Sequence, residues 1–321
     1  MMRLADVIAP LLDPDVDRIV AATASDIDTV AHVLNIDPHY LSVQVRIHMP
    51  FYDRTRLGAD DGIGIIREVL GRLRRSLDDF GSHHDLHRQR NGIDSITPGS
   101  KVKSLGGASV LSRPDGTESP LRLGPVDPEI GFEIQREIHY IHSARTDTFL
   151  HAGLFDGDRP GPLAYAAFSP LDRSYLRAAL ERSGVTGPSN VGDVAVMTRA
   201  FGYNPLPKNA MSKLFEFAAT EVRRAGYNYI ITALNPLLGF KGSIFSGSSF
   251  VAFATSPMRY WYNNDGLYMN RRRASNQAIA QRLETPPIVW LVRGLDSRRQ
   301  RAVERFSDTL YSIGEDEYDA R

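Results

Sequence analysis

The chain has 321 residues with 38 basic and 38 acidic side chains, so its formal net charge at neutral pH is zero. At this length, a sequence that is 42% hydrophobic can bury a large core, as one big domain or two. Because the charges balance, the protein as a whole does not attract polyanions, so any nucleic-acid contact must be a local patch of positive charge. The absence of cysteine excludes disulfides, thiolate nucleophiles and cysteine metal sites.

The amino-terminal stretch is a poor match to a signal peptide, because it reaches Asp13 before a long apolar run forms. No segment approaches the roughly 18 apolar residues that cross a bilayer. The sequence therefore predicts a cytoplasmic globular protein that does not enter a membrane.

Residues 1–127 predict a mostly helical and irregular amino-terminal region. Apolar residues recur at helical spacing over 61–80, whereas "YLSVQVRIHMPF" (40–51) alternates like a strand. The polar "HHDLH" (83–87) predicts a solvated turn. Residues 91–127 are rich in Gly, Ser and Pro, which indicates a linker, a long loop or a small irregular hairpin.

Residues 128–321 predict a second, more regular unit with an α/β (α+β) fold, a mixed twisted sheet with flanking helices. The strands over 194–201 and 229–234 are expected to be parallel and joined by a right-handed helical crossover at 209–225. The remaining predicted elements are a helix at 127–144, strands at 147–155 and 162–171, a short helix at 239–249, strands at 250–256, 267–273 and 286–292, and a surface helix at 296–313.

This order resembles the GCN5-related N-acetyltransferase superfamily over residues 130–273. That family has a glycine-rich loop before its main helix, and later a pattern close to N-x-x-A-x-x-x-Y-x-x-x-G-F. In "ITALNPLLGFKGSIFSGSSF", Asn235 follows the strand, Phe245 stands where the family has Tyr, and Ser249-Phe250 stand where it has Gly-Phe. The resemblance implies an acetyltransferase-like domain with a carboxy-terminal helical extension, although both glycines of the loop are missing.

A second resemblance is to the divergent branch that contains the phage Mom-type DNA-modification proteins. The stretches "GFKGSIF" and "HYIHS" are similar to features of that branch. This likeness implies nucleic-acid base modification as one alternative. Transferases that take an aminoacyl group from a tRNA, some of them on related folds, are another.

The segment "PLPKNAMSK" (205–213) joins a strand to a helix, where the family cradles the donor's phosphates. Asn209 and Met211 occupy the places of the two glycines, and Ser212 follows. Free N–H groups at a helix start hold anions without glycine, and Lys208 adds a positive charge. The opposing interpretation is a plain helix cap formed by Asn209.

The strand before this loop carries the other expected donor contacts. The resemblance implies that Met197, Thr198 and Arg199 hold the donor through their main chain, with Asn235 nearby. A simple core strand fits the same side chains equally well.

On the acceptor side, His139 and Tyr140 are candidate catalytic residues. His139 and His142 are spaced to lie on one helix face, but no third ligand follows at a useful spacing, so no metal is expected. A histidine beside an amine serves as a general base. Because Phe245 lacks the family's hydroxyl, Ser246, Ser243 or a water must replace the general acid.

The segment "SPMRYWYNNDGLYMNRRR" (256–273) concentrates aromatic and basic side chains. Stacking and charge predict contact with an acceptor or a nucleic acid, although alternate strand residues would bury half of the aromatics. The predicted contacts are Arg259, Trp261, Arg271, Arg272 and Arg273.

Together these features favour a transferase that moves an acyl group from a phosphate-bearing donor to an amine by direct attack. The donor is acyl-CoA by resemblance, and the acceptor is a small-molecule amine or a nucleobase. Three alternatives stay open: an aminoacyl-tRNA-dependent aminoacyltransferase that acts on a small molecule, Mom-like base modification, and a non-enzymatic nucleic-acid or partner-binding module.

Overall fold

The computed structural model describes residues 3–51, 59–77, 80–105, 107–185, 191–264, 266–269, 281–306 and 310–314. These residues form one sheet of eleven strands, with helices on both of its faces and a helical group from the amino-terminal part. The predicted fold class, a mixed sheet with flanking helices and a mostly helical amino-terminal region, is confirmed.

Three of the helices begin at an Asp-Pro pair. Asp13, Asp37 and Asp127 each accept a backbone N–H of the first turn, and the proline takes the first helical position. The described helices are α1 (Leu4–Ile8), α2 (Pro14–Ala22), α3 (Ala24–Leu34), α4 (Pro38–His48), α5 (Ala59–Ser76), α6 (Phe80–Asn91), α7 (Pro128–Glu133), α8 (Ser174–Arg182), α9 (Ala210–Arg224), α10 (Ser243–Ser246) and α11 (Ser297–Phe306).

The strand predicted at 40–51 is wrong, because this segment forms α4. Leu41 and Val45 pack among the amino-terminal helices, while Val43 and Ile47 pack against Leu238. Each pair has the i, i+4 spacing of one helix face. A helix that is buried on two faces therefore produces the alternation that normally indicates a strand.

Two other local predictions also differ from the structure, and a third region had open alternatives. The histidines of "HHDLH" lie in α6, where His84 and His87 are fully buried rather than solvated. The helix predicted over 127–144 ends at Ile138, after a π-helical turn at Ile134–Ile138. For residues 91–127, the hairpin alternative agrees with the structure, which has two paired strands at 101–105 and 108–112. A third strand at 118–125 follows and joins the main sheet.

The sheet is antiparallel apart from two parallel pairs, and its order is β1-β2-β3-β4-β5-β6-β7-β10-β8-β11, with β9 beside β8. The strands are β1 (Lys101–Leu105), β2 (Ala108–Ser112), β3 (Glu118–Pro125), β4 (Leu150–Asp156), β5 (Ala164–Pro170), β6 (Val194–Gly202), β7 (Tyr229–Leu234), β8 (Val251–Tyr262), β9 (Tyr268–Met269), β10 (Gln281–Gly294) and β11 (Tyr311–Ser312). The predicted parallel pair joined by a helix is confirmed as β6, α9 and β7.

Alternate residues of β6 separate the two faces of the sheet. Ala195 and Met197 join the core that contains α9, whereas Val194 and Val196 join the core that contains α8 and α11. None of the helices within the described ranges is sufficiently long and apolar to cross a bilayer.

Candidate active site

The strands β6 and β7 form a cleft because they pair over only part of their length. Val194–Val196 pair with Tyr229–Ile231, and no later described residue of β6 pairs with β7. A bulge marks the separation: Met197 and Arg199 pair with successive residues of β5, which leaves Thr198 as the extra residue. Beyond this bulge, the backbone of β6 has no partner strand on the β7 side among the described residues, and we call this opening the β6–β7 cleft.

The start of α9 follows β6 along the chain and lies within the 205–213 segment, because the helix begins at Ala210. Asn209 has a φ of 69°, a left-handed conformation that favours glycine. The amides of Asn209, Met211 and Ser212 have no acceptor among the described residues. Three N–H groups are therefore unpaired at the positive end of the helix dipole.

The amide of Lys208 is not part of this set, contrary to the prediction for residues 208–212. It donates to the carbonyl of Ser100 at 2.9 Å, and the carbonyl of Lys208 accepts from Val102 at 2.8 Å. This bridge fixes the loop beside β1 and leaves the Lys208 side chain exposed. The N–H of Ala210 is also paired, because it donates to the carbonyl of Pro207 at 3.1 Å.

His139 and Tyr140 follow the π-helical turn rather than lying on a helix, so the predicted helical pairing of His139 with His142 is wrong. Their rings stack with centroids 4.5 Å apart. Arg199 connects this segment to the β6 bulge: its guanidinium donates to the carbonyls of Ser143 at 2.5 Å and Thr198 at 2.6 Å. The structure therefore brings together residues that were predicted separately for the donor and the acceptor.

The environments of His139 and Tyr140 shift their pKa values in opposite directions. Burial, followed by Arg199 and His142, lowers the pKa of His139 well below its usual value. Burial raises the pKa of Tyr140 to about 12. At neutral pH the histidine is therefore neutral and the phenol keeps its proton.

Hydrogen bonding assigns the neutral tautomer of His139. Its Nδ1 accepts from the N–H of Ile141 at 3.3 Å, which places the remaining proton on Nε2. The hydroxyl of Tyr140 has no hydrogen-bond partner among the described residues. Nε2 of His139 and the hydroxyl of Tyr140 thus each carry a proton at neutral pH, and a general-base role does not suit the Nε2 atom of His139.

Tyr140 belongs to a tyrosine cluster with Tyr260 and Tyr268. The rings of Tyr260 and Tyr268 meet edge to face at 5.2 Å, and Tyr140 acts electrostatically on both. Burial raises the pKa of Tyr260 and Tyr268 as well. Asn235, predicted for the donor, donates to the Tyr260 hydroxyl at 2.6 Å and accepts from Leu237 at 3.1 Å, so its amide connects this cluster to the end of β7.

The strand residues predicted for the donor lie at the bulge. Met197 is buried, and its carbonyl accepts from the Thr232 hydroxyl at 3.0 Å. Thr198 is half-buried and donates from its hydroxyl to Ala167 at 3.3 Å. These contacts hold the bulge in shape and leave the main chain beyond it for a ligand.

The other predicted residues are placed apart from this arrangement. Ser246 is exposed on α10, where its neighbour Phe245 stacks on Phe215 of α9. Arg259 is buried and forms an ion pair with Glu284 at 3.5 Å. Trp261 is half-buried on β8 opposite Met269. Residues 271–273, the predicted arginine run Arg271, Arg272 and Arg273, lie outside the described residues.

Sequence reasoning missed the contribution of α4 to this site. Gln44 donates to the carbonyl of Tyr140 at 3.3 Å, and His48 accepts from the N–H of Tyr268 at 2.9 Å. The available signal was the Asp37-Pro38 pair, which marks a helix start just before the segment.

Within the described ranges, no group of three or more His, Asp or Glu side chains is placed to hold a metal ion. No family model matches the sequence. The search of curated proteins found no significant match.

Two solved structures share a remote similarity with the chain. YncA from Salmonella typhimurium, a candidate acetyltransferase solved with acetyl-CoA, is 11% identical, with a TM-score of 0.35 over 55% of this chain and 95% of that one. A candidate phosphinothricin N-acetyltransferase is also 11% identical, with a TM-score of 0.31 over 55% of this chain and 99% of that one.

Proposed function

We propose that the chain is an acyltransferase that binds acyl-CoA in the β6–β7 cleft and transfers the acyl group to an amine beside Tyr140. One observation carries the proposal. The strand β6 leaves β7 after Val196, and the open backbone leads to the N-terminus of α9, where Asn209 is left-handed and three amides are unpaired.

Each part of this arrangement matches a part of the donor. The pyrophosphate binds the amides of Asn209, Met211 and Ser212 at the positive end of α9, and Lys208 adds a charge. The amide-containing pantetheine arm pairs with the free main chain of β6, as an added strand pairs with a sheet edge. The thioester then lies near the bulge, beside Arg199, His139 and Tyr140.

The transfer needs no covalent enzyme intermediate. The neutral amine attacks the thioester carbon, and the carbonyl electrons move to oxygen, which accepts a hydrogen bond from Nε2–H of His139. The ammonium formed in this step loses its proton to water. When the C–S bond breaks, its electron pair goes to sulfur, which takes a proton from the Tyr140 hydroxyl, and Tyr140 regains one from solvent.

The buried position of Met211 makes this residue unsuitable for a charge-introducing test variant. Its side chain is 6% exposed, so Met211→Glu would bury a charge and destabilise the core. Ser212 is half-buried in the first turn of α9, where a carboxylate favours the helix. Ser212→Glu therefore keeps the fold and repels phosphate.

Calorimetric titration with acetyl-CoA, and separately with tRNA, tests the proposal. We expect acetyl-CoA to bind, Ser212→Glu to abolish binding, and Lys208→Ala to weaken binding and reduce its salt dependence. Arg74→Ala, which removes an exposed cation from α5, serves as the matched control and should bind normally. Binding of aminoacylated tRNA that Ser212→Glu abolishes, without binding of acetyl-CoA, would favour the aminoacyltransferase alternative. If Ser212→Glu changes the binding of neither ligand, the 205–213 loop holds no donor.

A further inference from the structure

A second region rich in positive charge surrounds the start of α11. A cleft of about 880 Å³ lies between the end of β10, the start of α11 and the end of α9. Among the described residues that line it, Asp296 is the single carboxylate, and it already pairs with Arg299. We call this the arginine cleft; its arginines are Arg223, Arg293, Arg298, Arg299 and Arg301.

Most of these arginines have no counter-charge in contact. Arg223, Arg298 and Arg301 are exposed and form no ion pair with any residue that the structure describes. The Nη1 atom of Arg293 is buried and likewise has no hydrogen-bond partner in those ranges. Glu216 attracts Arg293 electrostatically, but its carboxylate is paired with Lys213 at 3.1 Å.

A buried guanidinium nitrogen without an acceptor is costly, since buried charges are normally paired. Glu216 compensates this charge only in part, and the charged side chains that line the arginine cleft are mostly cationic. Burial accordingly lowers the pKa of Arg293. The missing complement is an anion that enters the cleft from solvent.

The arrangement of the arginines indicates the shape of this anion. Arg298, Arg301 and Arg305 follow the i, i+3, i+7 spacing of one face of α11. At 1.5 Å per residue they extend over about 10 Å, and the cleft continues this line to Arg293. A single small anion would occupy one position on such a line, whereas successive phosphates of a chain would occupy several.

We propose that the arginine cleft and the basic face of α11 bind the phosphodiester backbone of a nucleic acid, without recognition of its bases. The chain has no net charge, so this local patch supplies the attraction. The site is independent of the tyrosine cluster, because Gly294 pairs with Tyr229 at the start of β7, whereas Asn235 follows its end.

The test is fluorescence anisotropy with a labelled 20-nucleotide single-stranded DNA of mixed sequence over a series of salt concentrations. Replacing Arg298 and Arg301 together by alanine should weaken binding at least about 10-fold at low salt. The slope of log K against log salt should become less negative by about 0.7 for each phosphate contact removed. The control replaces Arg74 and Arg75 on α5, both exposed, and should bind as the wild type does. Absence of binding, or equal losses in both double variants, overturns the proposal.

A second variant separates binding from folding. Arg293→Met removes a partly buried cation whose Nη1 has no partner, so we expect weaker DNA binding with an unchanged or higher melting temperature. A lower melting temperature with unchanged DNA binding would make Arg293 a structural residue and contradict the assignment.

Competition with inorganic pyrophosphate distinguishes a nucleic acid from a small phosphate compound. We expect pyrophosphate to displace the DNA only at concentrations far above that of the oligonucleotide. If pyrophosphate displaced the DNA at comparable concentrations, the ligand of the arginine cleft would be a small phosphate compound and not a nucleic acid. The variants at Arg298 and Arg301 should bind acetyl-CoA normally, so this proposal and the acyltransferase proposal can fail separately.

Discussion

At the scale of single residues, Asn209 explains how the 205–213 loop keeps a glycine-like backbone without glycine. Its φ of 69° lies in the region where glycine is usual and asparagine is the most tolerated alternative. The sequence shows that glycine is missing at this position, but only the structure shows that the glycine-like backbone is kept.

Substitutions at Asn209 should therefore depend on backbone freedom rather than on the amide side chain. We expect Asn209→Gly to retain the melting temperature and acetyl-CoA affinity, because glycine adopts this conformation freely. Asn209→Val should lose about 1–2 kcal/mol of stability, because a β-branched residue is strained there. Thermal unfolding and titration of both variants measure the difference; equal behaviour would contradict the role of the conformation.

Tyr140 and Tyr260 differ in hydrogen bonding, and this difference provides a matched pair of variants. Tyr140→Phe should lower turnover on the order of 10²- to 10⁴-fold at an unchanged melting temperature, because its hydroxyl is bonded to no described residue. Tyr260→Phe should cost about 1 kcal/mol of stability, because it breaks the bond to Asn235. Acyl-transfer rates and melting curves of both variants are the measurements. If Tyr140→Phe lowered the melting temperature but kept its turnover, Tyr140 would not be the proton donor.

The adjacent pair His139-Tyr140 was predictable from the sequence, but its protonation states were not. They depend on burial and on Arg199, which lies on the distant strand β6, and on the local bond from the N–H of Ile141. Tertiary contacts also determine the placement of Arg259. A strand pattern alone does not show whether this side chain lies inside or outside the core.

At the scale of elements, α4 has the largest difference between sequence and structure. Its alternating apolar residues result from burial on two faces, so only the helix-start signal at Asp37 distinguishes it from a strand. By contrast, β6, α9 and β7 were predictable, because a buried strand, a capped amphipathic helix and another strand each follow a clear pattern.

Asp37 provides a test of how α4 is joined to the sheet. One carboxylate oxygen accepts from His39 at 2.7 Å, and the other accepts from Asn204, after β6, at 3.1 Å. Asp37→Ala should therefore cost about 2–3 kcal/mol, since it removes a cap and a bond to the 205–213 loop region. Asp13→Ala, at the cap of α2, should cost about 1 kcal/mol. Chemical denaturation compares them, and equal losses would show that the bond to Asn204 contributes nothing.

At the scale of the whole molecule, the sheet extends in both directions beyond the predicted core. The hairpin strands β1 and β2 and the following β3 lengthen one side, and β10 inserts between β7 and β8. Neither feature follows from local patterns, because strand order depends on pairing between distant segments. The helix α8 was also not predicted, since its short apolar face provides a weak signal.

Buried histidines make the stability of the whole molecule depend on pH. Burial lowers the pKa to about 4 for His48 and His87 and to about 3 for His84. Below an unfolded pKa of about 6.5, the unfolded chain therefore binds protons that the native protein does not. Stability should be constant above pH 6.5 and fall as the pH drops from 6.5 toward 4.

His84→Phe tests this dependence. The ring of His84 packs against Tyr40 at 4.8 Å and neither of its nitrogens has a hydrogen bond among the described residues. Phenylalanine should keep the packing, maintain stability at pH 7 and reduce the slope between pH 6 and 5 by up to about 1.4 kcal/mol per pH unit. Denaturant unfolding across pH measures the slope; an unchanged slope would mean that His84 takes up its proton in the native state.

The central claim is that acyl-CoA occupies the β6–β7 cleft and the start of α9. Hydrogen–deuterium exchange with and without acetyl-CoA tests it most directly, because it reports on the backbone amides assigned to the ligand. We predict that acetyl-CoA slows exchange in peptides covering 197–202 and 209–213, and leaves α5 and α11 unchanged. Protection confined to other segments, or none at saturating acetyl-CoA, would contradict the account.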